Sequence, residues 1–357
     1  MNLWSGFSIE PSHQSDPRRY SVFRDHLFNN VCHGIEQLFA WVFGFFAHML
    51  QRPRERPDVA LVLRGKMGCG KTIVGNIFGS LIQQHYFLVD DPRYVTGQFN
   101  AHMASCLLLQ ADEAVWAGDK KAEGRLKGLV TSNVQQIEAK GVDSIRLHNY
   151  LRLLLTSNES WVVPAGKDER RFAVLDVDPR CAQNHEYFAE MNAELADGGF
   201  SYLLHDLLAF DLSTVNVRQI PHTLALFEQK VASLDSVESW WLGRLHAGAP
   251  THQHNDWPAD VPIVVPVSSV FNDYILTAEK VGFRRRSSET AFGIALNRLL
   301  PGRLEKKRRS VAEEDGVTPR RTWCYVLPGL EEARDLFERA VGQPIVWARE
   351  SDDEAGM

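Results

Sequence analysis

Paired cysteines are missing from this sequence. Cys32, Cys69, Cys106, Cys181 and Cys324 are scattered, with no CxxC pair and no neighbouring histidine cluster. That pattern excludes a disulfide framework and a zinc site, and it suits a reducing compartment. Long apolar runs are missing too. The most hydrophobic stretch, residues 38–50 (LFAWVFGFFAHML), holds thirteen residues, including His48. A bilayer needs ~20 residues, so a buried or interface helix is expected and no membrane contact. The start, Met-Asn-Leu-Trp, has no basic region ahead of an apolar run, so no signal peptide is expected. A positive net charge is also lacking: the formal value is −6. Any nucleic-acid surface must therefore be local. No internal repeat is present.

The 357 residues are 44% hydrophobic, which allows a sizeable core and two or three domains. Residues 1–56 read as a helical segment closed by the proline-punctuated QRPRERP. Short apolar runs at 59–63, 106–111, 151–155 and 172–177 read as strands buried on both faces. They alternate with helical stretches near 71–84 and 121–131, which predicts an α/β fold with a mostly parallel sheet. Two period-2 pieces, 136–141 and 145–148, flank Gly141 and predict a hairpin. The predicted organisation is an N-terminal helical segment at 1–56 and an α/β domain at 57–248. A linker at 249–266, a basic unit at 267–347 and an acidic tail at 348–357 follow.

The strongest motif is Gly65-Lys66-Met67-Gly68-Cys69-Gly70-Lys71-Thr72, a full G-x-x-x-x-G-K-[ST] between a strand and a helix. Glycines let consecutive backbone N–H groups turn inward as an anion nest at a helix N-terminus. The predicted phosphate contacts are Gly65, Gly68, Cys69, Gly70, Lys71 and Thr72. Lys71 supplies the point charge, and the Thr72 hydroxyl completes Mg²⁺ coordination. Asp112-Glu113 closes an apolar strand about forty residues later. Asp112 is predicted to hold the metal and Glu113 to polarise the attacking water. At the next strand tip, Thr156-Ser157-Asn158, the Asn158 amide can donate and accept together, which suits a γ-phosphate sensor. Arg170 stands in Asp168-Glu169-Arg170-Arg171-Phe172 as the expected arginine finger for a neighbouring subunit, with Arg171 as second choice.

Between 280 and 321, twelve basic residues stand against five acidic ones, in a chain that is acidic overall. A helical piece at 287–299 precedes a strand-like TWCYVL at 322–327, a winged-helix-like pattern. Arg284, Arg285 and Arg286 are its predicted DNA contacts.

The order GKMGCGKT, LLLQADE, EAKGVDSIRLHNY, LRLLLTSN, DERRF resembles the superfamily 3 helicases, specifically the helicase half of phage and prophage primase–helicase or primase–polymerase proteins. The resemblance covers about residues 1–245. It implies an AAA+ P-loop NTPase using ATP and Mg²⁺, assembled as a ring, typically hexameric, with sites between subunits. It also implies a hairpin that grips single-stranded DNA, here through Lys140, with Lys127 and Arg146 as further candidates. Residues 1–56 would then serve as an oligomerisation collar. The expected work is ATP-dependent unwinding of single-stranded or forked DNA during phage or mobile-element replication. The expected place is the cytoplasm of a bacterial host or infected cell. A primase or polymerase would sit on another chain or on an upstream segment. Priming itself is not expected, because the zinc-binding primase signature is missing. The alternatives are an origin-opening or protein-remodelling ATPase and a non-catalytic DNA-binding ring scaffold.

Overall fold

The computed structural model describes residues 3–91, 93–113, 120–282, 286–311 and 320–347. The chain divides into two compact units, residues 1–165 with 169–229, and residues 166–168 with 230–357.

The first unit opens with a short helix, α1 (Ser21–Asp25), and a longer one, α2 (Glu36–Gln51). Eleven of the sixteen residues of α2 are buried, so it is apolar around its whole circumference and lies inside the unit. Its Phe46 stacks on Phe78 with ring centroids 3.7 Å apart, and Phe23 of α1 meets the same ring edge-on at 5.4 Å. This is the apolar run at 38–50. Among the described residues no helix is long and apolar enough to cross a membrane.

The chain then continues through β1 (Ala60–Arg64), α3 (Lys71–Ser80), β2 (Tyr86–Val89), α4 (Arg93–Thr96), β3 (Leu108–Ala111) and α5 (Lys120–Thr131). A hairpin of β4 (Val134–Ile137) and β5 (Ile145–His148) leads into β6 (Arg152–Ser157), β7 (Phe172–Asp176), α6 (His185–Glu194), α7 (Phe200–Ala209) and α8 (Leu224–Ala232). Five strands form one parallel sheet in the order β2-β3-β6-β1-β7. The fold is therefore mixed α/β around a central parallel sheet. Strands β1, β3 and β6 are buried along their whole length, as their unbroken apolar runs require. Strand β2, YFLV, is half exposed at the sheet edge and has no counterpart among the four predicted strands.

The second unit contains α9 (Ser236–Ala247), β8 (Ile263–Pro266), α10 (Val267–Val281), α11 (Glu289–Leu299), β9 (Glu305–Val311), β10 (Arg320–Leu327) and α12 (Leu330–Val341). Its three strands form an antiparallel sheet in the order β8-β10-β9. Trp240, Trp241, Tyr274, Phe292 and Phe337 fill its core. Asp273 is held inside by Trp240 Nε1 at 2.8 Å and by the His252 backbone N–H at 2.7 Å.

Three boundaries differ from those predicted. Residues 1–56 belong to the same compact unit as the sheet, because α2 is too apolar to stand apart from it. The units divide between Gln229 and Lys230 and not at 248. Helix α9 buries Trp240 and Trp241 within the second unit, a preference that a purely helical pattern does not encode. The expected linker at 249–266 ends in a strand, β8, whose apolar IVV pairs with β10 despite its proline-rich surroundings.

Candidate functional site

All five strands of the sheet run in one direction, so the residues that follow β1, β3 and β6 meet at its carboxyl edge. Register aligns Arg64 of β1 with Ser157 of β6, and Ala111 of β3 with Leu155 of β6. Strand β6 therefore stands between the glycine loop and the acidic pair.

The glycine loop at 65–70 leads into α3. Gly68 and Gly70 lie at φ 76° and 91°, a region that side chains resist. At Gly70 a Cβ would also lie 2.5 Å from the His26 ring. His26 is buried behind the loop, with its Nε2 3.1 Å from the Gly70 carbonyl. Burial pulls the His26 imidazole below its ordinary range, which favours the neutral ring.

Lys71 is 6% exposed and turns its ammonium back across the loop. It donates to the Gly65 and Lys66 carbonyls, both at 2.8 Å, and to Asn158 Oδ1 at 2.7 Å. The Asn158 Nδ2 in turn donates to the Glu113 carboxylate. Glu113 sits at φ 54°, a left-handed conformation that costs a non-glycine residue roughly 1–3 kcal/mol. Such strain persists where surrounding contacts over-determine it, and here it aims the carboxylate at Asn158. The Thr72 hydroxyl lies 3.1 Å from both oxygens of Asp112, and Thr156 Oγ1 donates to the same carboxylate. Lys71, Thr72, Asp112, Glu113 and Asn158 thus form one cluster, as their spacing in the sequence suggests.

Thr156 and Gln110 were not singled out in the sequence. Gln110 is fully buried in β3, where its Nε2 donates to the Thr72 carbonyl at 3.1 Å. Tyr86 Oη donates to Gln110 Oε1 at 2.7 Å. A Cβ on Gly75 would lie 1.7 Å from Gln110 Oε1, so that glycine makes room for the amide. The available signal was one amide in an otherwise apolar LLLQA. Arg64, just before the loop, is also buried. It pairs with Asp176 and Glu228 and donates to the Ser160 carbonyl at 2.7 Å. Hydrogen bonding to Asp176 raises the Arg64 pKa above its ordinary range.

Chemically, the loop amides and Lys71 suit an anion, and the Thr72 hydroxyl with the Asp112 carboxylate suits a hard cation. Arg170 and Arg171 are not part of the cluster. Phe172 pairs with Ala60 at the opposite edge of the sheet, about 16 Å from Gly65 by strand rise. The Arg170 side chain is exposed. Arg171 is half-buried beside Glu169, with N···O 3.7 Å.

The predicted nucleic-acid contacts are dispersed. Lys140 lies in the exposed turn between β4 and β5, beside Gly141 at φ 76°. Arg146 is exposed on β5. Lys127 is half-buried and ion-paired with Glu123 one helical turn away, which weakens its case as a contact. Arg286 pairs with Glu279 at 2.6 Å, and Arg284 and Arg285 lie outside the described residues.

Residues 63–171 match a family of unknown function, DUF5906, a span that begins within β1, ends just before β7 and contains the whole cluster. The chain is homologous to the DNA primase-polymerase of Nitratiruptor phage NrS-1, at 25% identity over 193 residues. That alignment covers 52% of this chain and 26% of the relative, so the aligned part spans about a quarter of that protein. Its fold is that of the C-terminal region of NrS-1. One apo structure of that region matches with a TM-score of 0.64 at 17% identity, and another with 0.65 at 16%. Each match covers 92% of this chain and 79% of the other.

Proposed function

We propose that the first unit is an AAA+ P-loop ATPase of the superfamily 3 type and that the chain is a DNA helicase of phage replication. The second unit would serve as a winged-helix-like DNA-binding unit. The observation that carries this reading is the chain Lys71–Asn158–Glu113, in which the start of α3 and the tips of β6 and β3 supply a cation, an amide and a carboxylate around one glycine loop. The homology to a phage DNA primase-polymerase supports a role in DNA replication.

The residues present fit ATP and Mg²⁺. The loop amides from Gly65 to Thr72 bind phosphate oxygens, and Lys71 exchanges its present oxygen partners for phosphate charge. Thr72 and Asp112 hold the metal. When bound, Mg·ATP supplies the phosphoanhydride whose cleavage powers movement on DNA. Glu113 orients water and accepts its proton, while Asn158, between Lys71 and Glu113, registers the terminal phosphate. Arg170, on the far edge of its own sheet, serves a neighbouring copy, which is why the reading includes a ring, hexameric in the resembling family. Lys140 on the β4–β5 turn meets single-stranded DNA.

Phosphate release, measured with and without single-stranded DNA, tests the assignment. Glu113→Gln is expected to lower turnover roughly 10²–10⁴-fold while nucleotide binding persists. DNA-stimulated hydrolysis that survives the substitution would overturn it. A chain that hydrolyses ATP but never separates a forked oligonucleotide would instead be a remodelling ATPase.

A further inference from the structure

The ribbon of β9 and β10 carries a tryptophan where no core covers it. From Cys324 to Val326, β10 is flanked on both sides, by β8 and by β9. From Trp323 outward it pairs with β9 alone. Trp323 opens that two-stranded stretch and is 46% exposed, whereas Trp240, Trp241 and Trp257 of the same unit are buried. An indole left open forgoes the large burial gain that tryptophan usually brings.

The surroundings of this indole are cationic. Arg308 is its partner in register, so the two side chains share one face of the ribbon. The guanidinium carbon lies 5.2 Å from the ring centroid, and the Lys306 ammonium, on the same face, lies 5.8 Å away. Both are cation–π distances. Arg321, two residues outward from Trp323, is exposed on that face as well.

Charge decides the class of partner. The described residues of this face, Lys306, Arg308, Ser310, Arg321, Trp323 and Tyr325, include three cations and no carboxylate, so its electrostatic complement is a polyanion. A polyanion that also offers flat rings satisfies both features. Duplex DNA keeps its base faces stacked inside, where the indole gains nothing. Unpaired nucleotides present base faces and phosphates together.

We propose that Trp323, Arg308 and Lys306 form a base-stacking platform for single-stranded DNA. The indole receives a base, and the cations take the flanking phosphates. The platform rests on the nucleic-acid reading of the second unit. Its test uses no hydrolysis, so it can fail while the ATPase assignment stands.

The test is fluorescence anisotropy of the full chain, without nucleotide, on a labelled short oligothymidine, an abasic strand of equal length and a blunt duplex. Trp323→Ala and Trp323→Leu are expected to weaken oligothymidine binding roughly 5- to 150-fold, with Trp323→Phe weakening it less. The salt slope should stay as in the wild type for these variants, and binding to the abasic strand and the duplex should not change. Arg308→Ala should reduce the slope by about 0.7 on the single strand. Trp323→Leu binding oligothymidine like the wild type would overturn the platform, since leucine keeps apolar area and removes the ring. Equal weakening on the abasic strand or the duplex would overturn it as well.

Discussion

The two edges of the parallel sheet bury polar groups in opposite ways. At the carboxyl edge, side chains satisfy one another: Lys71 with Asn158, Asn158 with Glu113, Thr72 and Thr156 with Asp112. At the amino edge, Arg152 of β6 is 1% exposed, and its two terminal nitrogens are satisfied by main chain while Nε has no partner. The terminal nitrogens donate to the Pro53 and Tyr150 carbonyls at 2.8 and 2.7 Å, to the Arg52 carbonyl at 2.9 Å and to the Glu55 carbonyl. Burial, aided by the Arg56 charge, pushes the Arg152 guanidinium down to about 9. Side-chain partners can rotate away, and the Lys71 stem can swing off its two loop carbonyls, whereas Arg152 is gripped by four carbonyls at once. On the proposed reading the first edge exchanges partners, whereas the second holds residues 52–55 against β6.

The sharpest way to break that contrast is at Asn158. Asn158→Ala should lower ATP turnover roughly 10²-fold, since it removes one positioned donor, and should leave the thermal midpoint near wild type. A variant that unfolds with turnover intact would reverse the assignment of the two edges. Arg152→Met should do the opposite. It strips a donor from four backbone carbonyls and should cost about 3 kcal/mol in denaturant unfolding, without a specific loss of nucleotide binding in the folded fraction.

The smallest effect concerns His48, buried near Arg152 with Glu55 3.9 Å away. Burial, reinforced by the Arg152 charge, pulls its imidazole down to about 4. The folded state therefore holds His48 neutral while the unfolded chain, near its ordinary 6.5, takes up a proton first. Its contribution to stability is complete above pH 6.5 and is lost as pH falls from there towards 4. His48→Gln should flatten that part of the curve of denaturant midpoint against pH. An unchanged slope would show that His48 is not held neutral by the fold.

The chemistry of the carboxyl edge was legible because it obeys local rules. A glycine loop between a strand and a helix, and an acidic pair or an asparagine closing an apolar strand, each announce themselves within about eight residues. Convergence then follows from parallel pairing, since every strand end lies on one edge. Gln110 was passed over because a single polar residue in an apolar run reads as noise until Gly75 is seen beside it, and Thr156 because the Asn158 amide in the same strand tip can donate and accept together. Strand β2 was missed for its half-exposed YFLV, and β9 because lysine and arginine runs carry no strand preference. Arg284 and Arg285 remain proposed DNA contacts, whereas the pairing of Arg286 with Glu279 lowers its claim.

The order of residues alone determined the glycine loop, the buried strands and the local charge excess, because each depends on neighbours a few positions apart. Only tertiary structure decided that Lys71, Asn158 and Glu113 form one chain, since β6 had to be inserted between β1 and β3. It also decided that α2 is core and that α9 belongs to the second unit, and it set Trp323 among cations on an open ribbon. Those outcomes rest on long-range pairing and burial, which no short window of sequence contains.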